Sequence, residues 1–114
     1  MKDTDNIIVK LSFDFALAII EYCEHLESKK RYVISNQLLK SGTSIGANIR
    51  EAQNAESKND FIHKFKIAAK EIEETIYWIE LCSQSINYPD CNHLKNQITI
   101  ISKIVNKIII TSKK

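Results

Sequence analysis

The residues of this chain best suited to chemistry are its cations. Lys29, Lys30 and Arg31 are contiguous. Lys66 and Lys70 stand one helical turn apart, with His63 on the same line, and Lys103 and Lys107 repeat that spacing. From Asp90 to Lys114 five lysines accompany a single acid. Grouped cations of this kind suit phosphate, so Lys29, Lys30, Arg31, Lys66, Lys70, Lys103 and Lys107 are the candidate nucleic-acid contacts. The whole-chain net charge of +2 does not point to nucleic acid by itself. An oligomer that repeated these groups would concentrate charge locally. The plainer alternative is that lysines solvate exposed helix faces. No aromatic platform is interleaved with the lysines, which argues against base stacking on single strands.

Other chemistries fare worse. Asp60 and His63 place a carboxylate and an imidazole one turn apart, but a di-metal bundle needs such a pair from each of two helices and more carboxylates besides. Cys91 with His93 is too sparse for zinc. No metal site and no cofactor are expected. Cys23, Cys82 and Cys91 have no evident partner base, and Cys23 and Cys82 lie near apolar stripes, as core residues do. Ser41, Thr43 and Ser44 belong to a helix face rather than a nucleophile elbow. Gly42 and Gly46 follow no strand and lack the Lys-Ser/Thr of a phosphate loop. The expectation is a protein that is not an enzyme.

Those two glycines are the only ones in the chain. At a spacing of four they share one helix face, where the backbone can approach another helix closely. Each costs a helix about 1 kcal/mol against Ala, so close packing is the natural compensation. Gly42, Gly46, Asn48, Tyr77 and Trp78 are the candidate packing and oligomer residues. Asn48 is flanked at three and four residues by Ile45 and Ala52, which sends it inward or into a subunit contact. Tyr77 and Trp78 flank the third segment's seam as filler or as a partner hot spot.

Four amphipathic segments position these residues. The first runs from about Asp5 to Glu27, with Asp3, Thr4 and Asp5 as capping oxygens and Ile8, Leu11, Phe15, Ala18 and Tyr22 as its stripe. The second begins near Ser35 as N-cap, with Ile34 and Leu39 as a hydrophobic staple, and reaches about Asn54. The third opens on a capping box, Ser57-Lys58-Asn59-Asp60. It carries a seam of Ile62, Phe65, Ala69, Ile72, Ile76, Ile79, Ser83 and Ile86, and ends before Pro89. Its lysines precede its glutamates, an order that a neighbouring helix or subunit could pair. The fourth starts from Asp90 as N-cap with Leu94, Ile98, Ile101, Val105 and Ile108 inward. Ile100, Ile104, Ile109 and Ile110 widen its apolar arc beyond one face, which implies self-association.

Four helices with short joins predict an all-α, antiparallel up-down-up-down four-helix bundle, one domain over residues 1–114. The composition agrees: 44% hydrophobic, 26% charged, two Gly and one Pro. No apolar run is long enough for a membrane span, and the N-terminus lacks a signal-peptide pattern. With three cysteines out of metal spacing, the expected compartment is the cytoplasm.

The run from Gln37 to Ala52 (QLLKSGTSIGANIREA) resembles the signature of the 23S rRNA-intervening sequence proteins. Residues 55–62 (AESKNDFI) and 73–81 (EETIYWIEL) continue the likeness over nearly the whole chain. The resemblance implies a bacterial, cytoplasmic four-helix bundle that assembles as a homopentameric ring without enzymatic activity. Some members of that family are encoded in inserts within the ribosomal RNA gene. A related branch, the accessory proteins of diversity-generating retroelements, binds nucleic acid and a reverse transcriptase. Two functional expectations follow: a nucleic-acid-associated accessory protein (RNA or DNA), or a protein scaffold or adaptor that docks a protein partner without nucleic acid. Neither involves a membrane.

Overall fold

A computed structural model describes residues 3–113, with side chains from Ile7 onward. The described residues form four helices: α1 (Asp3–Ser28), α2 (Tyr32–Ala52), α3 (Lys58–Gln84) and α4 (Asn92–Ser112). The capping oxygens expected from Asp3, Thr4 and Asp5 lie outside the described side chains. Each helix packs on its sequence neighbours, and α1 closes the ring against α4. The diagonal pairs do not meet, which is the square cross-section of an up-down-up-down bundle. The bundle measures 46 × 20 × 20 Å, in keeping with a 26-residue α1 of about 39 Å.

The core is the inward stripe of every helix. Ile8, Phe15, Ile19 and Leu26 of α1 meet Leu38, Ile45 and Ile49 of α2, Phe65, Ile72 and Ile79 of α3, and Leu94, Ile98, Ile101 and Val105 of α4. On α3 the buried positions are Phe65, Ala68, Ile72, Thr75, Ile79 and Cys82, a three-four alternation. The expected seam therefore has one column right and one column misplaced. Phe65, Ile72 and Ile79 are inside. The second column is Ala68, Thr75 and Cys82, while Ala69 and Ile76 are half-buried, Ser83 is exposed and Ile86 is 84% exposed. Cys82 is inside, as its place near the apolar stripe suggested, and Thr75 is held inside by the Ser41 hydroxyl of α2.

The glycine face of α2 lies against α1. A β-carbon at Gly42 would stand 2.8 Å from Cγ1 of Ile19, and one at Gly46 would stand 3.2 Å from the Ser12 carbonyl oxygen. So α2 lies on α1 closely enough that Gly46 meets main chain. Beside the glycines a small polar layer continues: the Ser41 and Thr75 hydroxyls are 2.9 Å apart, and Thr75 also donates to the Glu71 carbonyl at 2.7 Å. Ser12 bonds back to the Val9 carbonyl.

Two expected helix starts shift. α2 starts at Tyr32, one turn earlier than expected, with Arg31 at the N-cap. Ser35 is not a cap. It is buried inside α2, where its hydroxyl reaches the Cys23 carbonyl and the Glu27 carboxylate, each at 3.2 Å. With the start moved, Ile34 and Leu39 no longer form a staple; both are half-buried against the core. α4 begins after Cys91 rather than Asp90, and neither Arg31 nor Cys91 supplies a side-chain cap. In contrast, Ser57 caps α3 by accepting from the Asp60 amide at 3.0 Å. Asp60 reaches back as expected, but to the Glu56 amide at 3.2 Å, one residue beyond the cap.

Candidate nucleic-acid interface

The α1–α2 and α3–α4 turns lie together at one end of the bundle. The Tyr22 hydroxyl donates to the Pro89 carbonyl at 2.8 Å, its ring lies 6.5 Å from that of His93, and Lys29 Nζ donates to the Asn87 carbonyl at 3.4 Å. This brings the Lys29-Lys30-Arg31 cluster over the α3–α4 turn. The Arg31 guanidinium carbon lies 5.4 Å from the centre of the Tyr88 ring, within cation–π range. Tyr32 is exposed next in sequence. An aromatic ring therefore does accompany these cations, contrary to the sequence expectation. Tyr88 comes from a segment 57 residues away, and only the fold shows it.

Beside Tyr88 a cleft of about 340 Å³ opens between the end of α3 and the start of α4. Ser83, Ser85, Asp90, Asn92 and Lys95 line it, with Cys82 and Cys91. The amino ends of α2 and α4 face this end of the bundle, without side-chain caps and without acids in their first turns. Their free amides can accept anions locally, although the carboxyl ends of α1 and α3 beside them offset much of the summed dipole.

The other candidates are dispersed. Lys66 and Lys70 are exposed on α3, and Lys103 and Lys107 on α4, opposite its buried stripe. None of these four makes a salt bridge among the described residues. Salt bridges join Lys10 to Asp14 at 3.2 Å and Lys64 to Glu51 at 3.1 Å. The latter joins the lysine half of α3 to α2, as the charge order suggested. Glu71, in the acid half, is held above the usual carboxylate range by partial burial and by Glu74, against the pull of Lys40 and Lys70. Asn48 is half-buried and donates to the Ser44 carbonyl of its own helix at 2.9 Å. Tyr77 is exposed; its ring meets that of half-buried Trp78 edge-on at 5.2 Å, and the Trp78 indole donates to Glu74 at 3.3 Å.

The thiols cluster beneath the same end. Cys23, Cys82 and Cys91 are buried and free. Burial pushes the Cys23 and Cys82 thiols up to about 11, and raises Cys91 and the Tyr22 phenol as well. Such thiols are protonated and poorly nucleophilic near neutrality. No group of three or more His, Cys, Asp or Glu side chains suited to a metal occurs among the described residues. No helix among them is long and apolar enough to cross a membrane.

Fold and surface thus define an all-α bundle that gathers Lys29, Lys30, Arg31 and Tyr88 at one end. The sequence model described as 23S rRNA-intervening sequence protein matches residues 4–107. The chain belongs to that family. It is similar to a crystal structure from Bacteroides thetaiotaomicron, described as a protein with unknown function from the S23 ribosomal protein family. The two are 42% identical over 93% of this chain and 97% of the other, with a TM-score of 0.86. No curated protein matches this chain.

Proposed function

We propose that this protein is a non-catalytic, self-associating bundle of the cytoplasm that acts as a nucleic-acid-associated accessory protein. The observation that carries the reading is the gathering of Lys29, Lys30 and Arg31 over the α3–α4 turn, at an end that also presents uncapped helix amides. Lys66, Lys70, Lys103 and Lys107 add exposed charge along the outer faces. Repetition in a homo-oligomer, a pentamer by family likeness, multiplies those charges around one assembly. Filter binding of RNA and of duplex DNA at graded salt tests the reading. Affinity that falls linearly on a log–log salt plot supports it, and absence of binding at low salt overturns it.

A second reading, a protein scaffold without nucleic acid, is favoured by an apolar stripe on α1. Phe13, Leu17 and Ile20 are 49%, 52% and 41% exposed. Side chains of this size exposed in a row mark a contact surface. Pull-down from nuclease-treated lysate separates the two, since a scaffold keeps its protein partner and a nucleic-acid bridge does not.

A further inference from the structure

We propose that the paired-turn end of the bundle binds an unpaired nucleotide of a single strand, with the base stacked at Tyr88 and its edge read in the adjoining cleft. This rests on the nucleic-acid reading above and adds where the strand sits and in what form.

Three independent features meet there. The first is the stack. Arg31 lies 5.4 Å from the Tyr88 ring centre, and Tyr88 is half-buried at the mouth of the cleft, so one component of a cation–aromatic platform is already fixed. Base–aromatic stacking tolerates any base and requires that base to be unpaired. The second is the cleft. Its 340 Å³ is lined by groups that can answer a base edge: Asn92 offers donor and acceptor, Ser83 and Ser85 offer hydroxyls, and Asp90 accepts from an exocyclic amine. Asp90 also repels phosphate, which orients the nucleotide with its base inward and its backbone toward Lys29, Lys30 and Arg31. The third is the positioning of the cations. Lys29 is tied to the Asn87 carbonyl, and Lys30 sits at φ 62°, a left-handed conformation that disfavours any side chain. Glycine would suit that position better, yet the turn holds a cation there, between the two that touch the α3–α4 turn. A flat duplex end or an A-form helix offers no extruded base, so the site selects single strands.

Fluorescence anisotropy on the full chain tests this with a labelled twelve-nucleotide RNA of mixed sequence, used single-stranded and as its blunt duplex. The single strand is expected to bind about tenfold or more tightly than the duplex. Tyr88→Leu should weaken it by about five- to a hundredfold, the range expected for one lost stack, while Tyr88→Phe stays within about twofold. Arg31→Ala, at an exposed position, provides a loss variant that leaves the core untouched, and circular dichroism confirms that each variant is folded. If the single strand binds but Tyr88→Leu and Arg31→Ala match the parent, while Lys103→Glu with Lys107→Glu abolishes binding, this site is wrong and the broader nucleic-acid reading stands. If 5′-AMP displaces the strand at equal concentration, the site is one for free nucleotides and the strand proposal is wrong. If neither RNA form binds at low salt, both readings fall.

Discussion

At the scale of single residues, the two turns at the cationic end make an instructive pair. Lys30 and Asn87 both adopt left-handed backbone, φ 62° and 68°. Asn tolerates that region because its short amide bonds locally, whereas a lysine pays the steric cost without such relief. Lys30→Gly is therefore expected to stabilise the protein by roughly 1 kcal/mol, a rise in melting temperature of about 4 °C. A melt that falls instead would show that Lys30 holds a contact worth more than its strain. The thiols give a pH prediction with a definite sign. In the unfolded chain a cysteine ionises near 9.0, while folded Cys23 and Cys82 hold their protons to about 11. Between these values the unfolded state binds fewer protons, so stability is fully present below pH 9 and is lost as the pH rises toward 11. Thermal melts should be flat from neutrality to pH 9 and then fall, and Cys23→Ala should flatten that descent. A melting temperature that held through pH 11 would place these thiols in water. Such residue-scale facts were half legible. Ser57 and Asp60 announced a helix start because the whole device lies within five consecutive residues, from Glu56 to Asp60. Ser35 misled because it has the same chemistry, but its partners, Cys23 and Glu27, belong to another helix.

At the scale of elements, the approach of α2 to α1 depends on two missing β-carbons. Alanine at Gly42 gains about 1 kcal/mol of helix propensity but must displace Ile19, which is fully buried. We expect Gly42→Ala to lose about 1–2 kcal/mol net in urea unfolding, as overpacked cores do. Gly46→Leu should lose more, since its neighbour is the Ser12 carbonyl, and main chain yields less readily than a side chain. A stabilised Gly42→Ala protein would mean that the helices separate freely and that the close approach is incidental. The polar layer beside it is testable by a double-mutant cycle. Thr75→Val leaves the buried Ser41 hydroxyl without its partner, at about 1–2 kcal/mol, whereas adding Ser41→Ala recovers much of that loss. Additive losses would show that the two hydroxyls act separately. Helix existence, order and inward stripes were legible because a 3.6-residue period repeats over many turns and averages out single exceptions. The second column of the α3 seam was not. Ala68 and Ala69 are the same residue type, and a hydrophobic pattern ranks Thr75 below Ile76, because its partner, the Ser41 hydroxyl, belongs to another helix.

At the scale of the whole molecule, the bundle completes its core without using all its apolar residues. The α1 stripe of Phe13, Leu17 and Ile20 remains outside, one turn from the next along a single face. Beside it, Phe13, Val9 and Ala16 of α1 and Thr43, Gly46, Ala47 and Arg50 of α2 line a shallow groove, with the Arg50 guanidinium 5.5 Å from the Phe13 ring centre. The sequence pointed to α4 as the source of excess apolar surface, and there Ile100 and Ile110 are indeed exposed, while Ile104 and Ile109 pack against the core. It did not point to α1, because Leu17 and Ile20 merge with the inward stripe when the exact angular width of that stripe is unknown. If self-association uses this face, Leu17→Glu places a charge where an apolar contact must dehydrate, which an assembly tolerates poorly. The same substitution leaves the monomer's core unchanged, since Leu17 is half outside it. The expected outcome in sedimentation velocity is a shift from an oligomer toward the 13.1 kDa monomer, with helical content retained. A Leu17→Glu protein that keeps the parent mass moves the subunit contact elsewhere and leaves the α1 stripe free for a different protein, which strengthens the scaffold reading. A parent already monomeric at tens of micromolar removes the ring, and the charge multiplication argued from it fails, so binding of a strand would then depend on the paired-turn end of each copy alone.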